Sequence, residues 1–82
     1  MTYRIIWEPG ATNAAVRFLK DDPTGLAAVY EAVDSLAEAP RPAQSTAYGP
    51  GARRLRIGNC RVLYLIEDDA IRILVTHLGR TP

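Results

Sequence analysis

Apolar positions recur along the chain with two different periods, and the change of period divides it. From Ala11 they fall at Ala11, Ala14, Ala15, Phe18 and Leu19, the spacing of one helical face. Asp21-Asp22-Pro23 interrupts that helix, and Asp22 is placed to cap a second one with Pro23 at its first position. The second stripe runs through Leu26, Val29, Tyr30, Val33, Leu36 and Ala37, and Ala39 is its expected end because Pro40 and Pro42 follow. The two helices form an antiparallel hairpin. Ahead of them, Tyr3-Arg4-Ile5-Ile6-Trp7 reads as an edge or starting strand closed by Pro9-Gly10. Residues 40–51, with three prolines and two glycines, read as a connecting loop.

Beyond that loop the period falls to two. Strands are expected at about Ala52–Ile57, Cys60–Ile66 and Ala70–Leu78, with turns at Gly58-Asn59 and around Asp68-Asp69. The fold class is therefore α+β: an N-terminal strand, a two-helix hairpin, then a three-strand antiparallel meander, with the helices packed on one face of a small sheet.

The Gly58-Asn59 turn suits type II′, and a two-residue loop fixes the register. Ile57 then opposes Cys60, Arg56 opposes Arg61, Leu55 opposes Val62 and Arg54 opposes Leu63. Continued symmetrically across Asp68-Asp69, the pairing sets Ile71 against Ile66, Ile73 against Tyr64 and Val75 against Val62. One face is then almost wholly apolar: Leu55, Ile57, Cys60, Val62, Tyr64, Ile66, Ile71, Ile73 and Val75, with His77 opposite Cys60. The helix hairpin must cover it. The other face carries Arg54, Arg56, Arg61, Leu63, Leu65, Arg72, Leu74, Thr76 and Leu78, with Arg80 at its end.

Composition bounds the picture. Eighty-two residues, 48% hydrophobic and 23% charged, make one small globular domain over residues 1–82. One cysteine, Cys60, allows no internal disulfide. The N-terminal segment lacks the pattern of a secretory signal, and no apolar run approaches the roughly 18–20 residues of a membrane span. The expectation is a cytoplasmic protein with no membrane association.

Net charge is only +1, but it is unevenly spread. Residues 1–52 hold four basic and six acidic side chains, whereas residues 53–82 hold six arginines against Glu67, Asp68 and Asp69. Arginine is the side chain best suited to bidentate contact with phosphate. Arg56 opposite Arg61, with Arg54 on the same face, is a like-charge arrangement that costs a few tenths of a kcal/mol or more unless solvent or an anion lies between. Charge alone does not choose between solvated surface arginines and a phosphate-binding face.

The segment LRIGNCRVLYLIEDDAIRILVTHLGR resembles the C-terminal half of RelE-like toxins, whose mark is an L-R-x-G-x-x-R-v-x-Y hairpin followed by an apolar strand ending near v-G-[HK]-R. The family order of strand, two helices and meander agrees with the reading above. The resemblance implies the toxin of a type II toxin–antitoxin pair. It implies an enzyme that enters the ribosomal A site and cuts mRNA with neither metal nor cofactor, the substrate's 2′-hydroxyl attacking the adjacent phosphate. Its implied partners are a cognate antitoxin, the ribosome and mRNA, and operator DNA as part of the toxin–antitoxin complex.

By the same resemblance Arg61 matches the family's central phosphate-contacting arginine, and Arg54 and Arg56 match basic positions that serve catalysis or RNA binding. Arg53, Arg72 and Arg80 complete the expected RNA-binding set. Ala52 stands where some members have a lysine, and Thr81 where members commonly have an arginine that Arg80 would replace one position early. Some members also carry a catalytic tyrosine several residues further on, which this sequence does not reach, so it is expected to be truncated or to work differently.

His77, the single histidine, is the remaining candidate for proton transfer, and its expected place on the apolar face argues against it. A Cys60–His77 nucleophilic pair would need an orienting group and an oxyanion site that the sequence does not offer. No cluster has metal-ligand spacing. Leu63, Leu65 and Leu74 form an apolar strip beside the arginines, which an amphipathic antitoxin segment with acidic residues would complement. Two other readings stand beside the endonuclease: a ParE-like toxin that inhibits DNA gyrase by binding it, and a non-toxic regulatory member.

Overall fold

A computed structural model of the chain describes residues 2–81. Strand β1 (Arg4–Trp7) leads into helices α1 (Pro9–Asp21) and α2 (Pro23–Ser35), followed by strands β2 (Ser45–Gly49), β3 (Ala52–Ile57), β4 (Cys60–Glu67) and β5 (Arg72–Arg80). The α+β class and the helix hairpin stand as expected. The sheet is larger: five strands in the order β1-β5-β4-β3-β2, with β1 parallel to β5 and the other neighbours antiparallel.

Each helix starts where its proline puts it. Both carry proline in the first turn, where the missing N–H costs no intrahelical bond. Asp22 caps α2, its Oδ1 accepting from the Gly25 backbone N–H at 3.0 Å. A Cβ at Gly25 would come within 2.1 Å of the Asp22 carboxylate, so the cap depends on glycine there. Helix α2 ends at Ser35, short of Ala39; Leu36 to Ala39 continue as turns bonded back to Val33, Asp34 and Ser35.

The hairpin covers one face of the sheet. Ala11, Ala14 and Ala15 of α1 and Leu26, Val29 and Val33 of α2 are buried, with Leu36, against Leu55, Cys60, Val62, Tyr64, Ile66, Ile73, Val75 and Leu78. Small alanines let α1 approach closely. Tyr64, almost fully enclosed, has its hydroxyl satisfied by donation to the Pro40 carbonyl at 2.8 Å. Trp7 and Tyr30 pack ring to ring, 5.4 Å between centroids. Among the described residues no helix is long and apolar enough to cross a membrane.

Three expectations about the sheet change. The segment read as a loop contains β2, an edge strand paired with β3 through Ser45–Leu55, Thr46–Arg54 and Ala47–Arg53. The turn after β4 is longer than two residues and ends at Ile71, at φ 51°, so β5 begins at Arg72 and Ile73, not Ile71, opposes Ile66. Most consequentially, β5 carries a bulge. Tyr64 pairs with Val75 but Leu63 pairs with His77, leaving Thr76 as the extra residue. Alternation reverses beyond that point. Leu78, expected on the arginine face, turns into the core opposite Val62, and His77, expected on the core face, turns out.

Candidate anion-binding site

The centre of the face away from the helices is built by three strands. Arg54 and Arg56 come from β3, Arg61, Leu63 and Leu65 from β4, and Leu74, His77 and Gly79 from β5, and opposed residues share a face. The hairpin register is as expected: Arg56 stands opposite Arg61 and Arg54 opposite Leu63. Gly58 takes φ 57°, the left-handed conformation a type II′ turn requires of its first central residue.

An open depression of about 250 Å³ lies on this face. Arg54, Arg61, Arg80, His77 and Tyr48 line it, together with Leu63, Leu78 and Gly79. Gly79 opposes Arg61 and has no atom within 4 Å of where its Cβ would be, so its missing side chain keeps the space beside Arg61 open.

The electrostatics favour an anion. Among the described residues the ion pairs are Arg41–Asp68, Arg72–Glu67 and Arg80–Asp21; none involves Arg54, Arg56 or Arg61. The Arg54 Nε is buried without a hydrogen-bond partner among the described residues. A buried donor of a charged group left unpaired is costly, and an anion in the depression is the simplest acceptor for it.

His77 is exposed and is held from one side. The Thr76 hydroxyl donates to the Leu63 carbonyl at 3.2 Å, so its oxygen is free to accept from His77 Nδ1, 3.1 Å away. With the hydroxyl proton so used, a neutral ring that keeps this contact carries its proton on Nδ1 and presents Nε2 as the lone-pair nitrogen. The bulge residue thus both turns the imidazole onto the arginine face and selects the nitrogen it presents.

The other expected residues are placed elsewhere. Arg53 lies on the helix side of the sheet, opposite Tyr64, where it donates to the Ser45 hydroxyl at 2.8 Å and carbonyl at 3.2 Å. Arg72 is at the far end of the sheet, bonded to Glu67. Arg80, expected on the arginine face, still borders the depression, but it pairs with Cys60 and its guanidinium is turned to the helix side, meeting Asp21 at 3.1 Å and stacking 4.3 Å from the Phe18 ring. Arg56 borders a second groove, between α2 and β3. Leu63, Leu65 and Leu74 remain half-buried on the uncovered face, continued by Ile6 of β1 opposite Leu74.

Cys60 is buried, and burial pushes its thiol up, against the thiolate a nucleophile needs. Register puts Arg80, not His77, opposite it. Among the described residues no group of three or more His, Cys, Asp or Glu could hold a metal ion.

Sequence reasoning missed Tyr48, Thr76 and Gly79. The signal for Tyr48 is present: Thr46 and Tyr48 alternate with Ser45 and Ala47 just before a Gly-Pro-Gly turn, a strand pattern obscured by the surrounding prolines. The bulge at Thr76 leaves a subtler mark, two polar residues in succession between Val75 and Leu78.

Solved structures of several toxins share this architecture. The chain resembles the RelBE2 toxin–antitoxin complex from Mycobacterium tuberculosis (TM-score 0.82, 21% identity, covering 99% of this chain and 100% of that one). It also resembles a RelE mutant of E. coli in the free state (0.80, 19%, 98% and 84%). A third likeness is to a YoeB/ParE toxin from Agrobacterium tumefaciens (0.81, 12%, 96% and 99%). At these identities the likeness is one of fold. No curated protein matches the sequence. The family model of the ParE toxin of type II toxin–antitoxin systems, parDE, matches residues 5–81, nearly the whole chain. The chain therefore belongs to the ParE toxin family of type II toxin–antitoxin systems.

Proposed function

We propose that this toxin is a ribosome-dependent mRNA endonuclease acting in the A site, with the Arg54–Arg61–His77 depression as its reaction centre. The observation that carries this reading is that His77 and two arginines without carboxylate partners line one depression on one face of the sheet. In the proposed step the 2′-hydroxyl of a ribose gives its proton to His77 Nε2 and attacks the adjacent phosphorus. The bond to the 5′-oxygen breaks, that oxygen takes up a proton from water, and His77 returns the one it accepted to solvent. The products are a 2′,3′-cyclic phosphate and a free 5′-hydroxyl, with no change of oxidation state. Arg61 and Arg54 neutralise the charge that builds on the non-bridging oxygens, and Arg56 guides the backbone.

A cognate antitoxin is the expected partner, as in the RelBE complexes that share this fold. Its proposed seat is the apolar strip of Leu63, Leu65 and Leu74, from which an acidic segment would mask Arg61.

Primer extension on an mRNA in translating ribosomes, with the purified chain, tests the reading. Cuts in register with the A-site codon are expected, reduced about a hundredfold or more by Arg61→Ala. Intact mRNA would overturn it. The family match to ParE favours one second reading, gyrase inhibition by binding; broken DNA with intact mRNA in arrested cells would be its outcome.

A further inference from the structure

Tyr48 is the residue of the depression that the proposed chemistry leaves without a task. Its side chain is 59% exposed, the most open of the exposed large hydrophobic residues, ahead of Val16 at 51%. What distinguishes it from an ordinary exposed side chain is its place: an open aromatic ring edging the depression lined by Arg54 and Arg61.

Its position is also built. Tyr48 is the unpaired residue of a bulge between Ala47 and Gly49, and Gly49 at φ 135°, Pro50 and Gly51 at φ 71° form the tight turn behind it. Tyr48 shares the parity of Thr46, which opposes Arg54, so the ring belongs to the arginine face. Bulges re-aim a side chain and recur beside functional sites. Here two of them bear on the same depression: one places Tyr48 in its lining, and the other, at Thr76, immediately precedes His77 in that lining.

We propose that Tyr48 is a stacking platform for one unpaired nucleobase of single-stranded RNA whose phosphate lies on Arg54 and Arg61. The inference rests on the RNA reading above and adds the part of the nucleotide that the cations do not touch. A cationic groove edged by an aromatic face is the general way proteins hold a single strand, the phosphate taken by arginine and the base by the ring. A duplex would keep its bases stacked on each other and give the ring nothing to hold. Tyr48 is a positioning residue in this account: it sets which ribose sits at His77 and transfers no proton.

The test is fluorescence-anisotropy binding by the full chain at low salt. Two probes are used: a short single-stranded RNA made uncleavable by 2′-deoxy substitution, and the same backbone carrying abasic sites. Tyr48→Ala is expected to weaken the base-bearing strand about five- to a hundredfold, the range for one base stacked on an aromatic ring. It should leave the abasic strand unchanged. Tyr48→Phe, which keeps the ring and loses the hydroxyl, should bind both strands as the unaltered chain does. Arg61→Ala should weaken both strands. Equal loss on the two strands with Tyr48→Ala, no loss on either, or Tyr48→Phe behaving as Tyr48→Ala, overturns the stacking role. If Arg61→Ala also binds both strands unchanged, the RNA reading itself falls, and the two failures are told apart.

Discussion

Gly79 shows how much of the site depends on an atom that is missing. It opposes Arg61, its φ is not in the left-handed region, and a Cβ there would meet nothing within 4 Å. Backbone freedom is therefore not what glycine supplies; room beside the guanidinium is. Gly79→Val fits a strand and is expected to change stability by no more than about 0.5–1 kcal/mol, while its branched side chain fills the depression. Denaturant unfolding and mRNA cutting, measured together, should separate: near-normal stability with at least tenfold lower cutting. Full activity in a folded Gly79→Val protein would show that the depression is not where the phosphate sits. At this scale the sequence was readable where a residue's role is local. Asp22 as a cap and Gly58 in its turn follow from their immediate neighbours, whereas Gly79 acquires its role only through Arg61, on another strand.

Strand β5 is the element on which the site turns, because its bulge decides which residues look outward. A regular strand from Val75 would set His77 against Val62 in the core and push Leu78 into water. Exposing a buried leucine forfeits about 1.5–3 kcal/mol, and an enclosed imidazole would need a partner, so the bulge is the cheaper solution. This explains why strict alternation misplaced both residues: the sequence pattern Val75-Thr76-His77-Leu78 is apolar-polar-polar-apolar, a break in period two that marks the extra residue. Deleting Thr76 is then an unusual deletion. It should close the bulge while keeping His77 opposite Leu63 and Leu78 opposite Val62, with a stability loss of no more than about 2 kcal/mol in denaturant unfolding. In an unbulged strand the same deletion would flip every residue beyond it. Complete loss of folding would argue against the bulge. The edge strand β2 eluded the reading for another reason: only Ser45 of its five residues is buried, and prolines surround it, so its short alternation is easily read as loop.

Across the whole molecule, Tyr3, Arg41 and Asp68 tie together the start of the chain, the loop after α2 and the turn before β5. The Tyr3 hydroxyl donates to Asp68 Oδ1 at 2.6 Å, and Arg41 donates to Oδ2 at 3.0 Å. The Tyr3 hydrogen bond, with help from Arg41, holds the Asp68 carboxyl below its ordinary 3.8. That contribution is present above the ordinary value and is lost as pH falls through the lower, folded one. The same bond, then burial, raises Tyr3 above 10.0, a contribution present below that value and lost as pH climbs through the folded pKa. The Tm difference between the unaltered chain and Tyr3→Phe should be steady from about pH 5 to pH 9 and shrink on both sides. A difference undiminished at about pH 3 would mean that the ring's packing, not its hydroxyl, supplies the effect. The parallel pairing of β1 with β5 was the topological feature least legible beforehand, since Arg4 meets Arg72 across almost the whole chain. It has a consequence in time. During synthesis at about 5–20 residues per second, β1 waits on the order of several seconds for its partner to be made. The core's last wall, the only neighbour of β1 in the sheet and His77 all arrive with that one strand. A chain stopped after Glu67 is expected to show no cooperative unfolding by calorimetry, and a cooperative transition would refute this. The ribosome that builds this chain therefore holds an unfinished sheet until β5 has emerged.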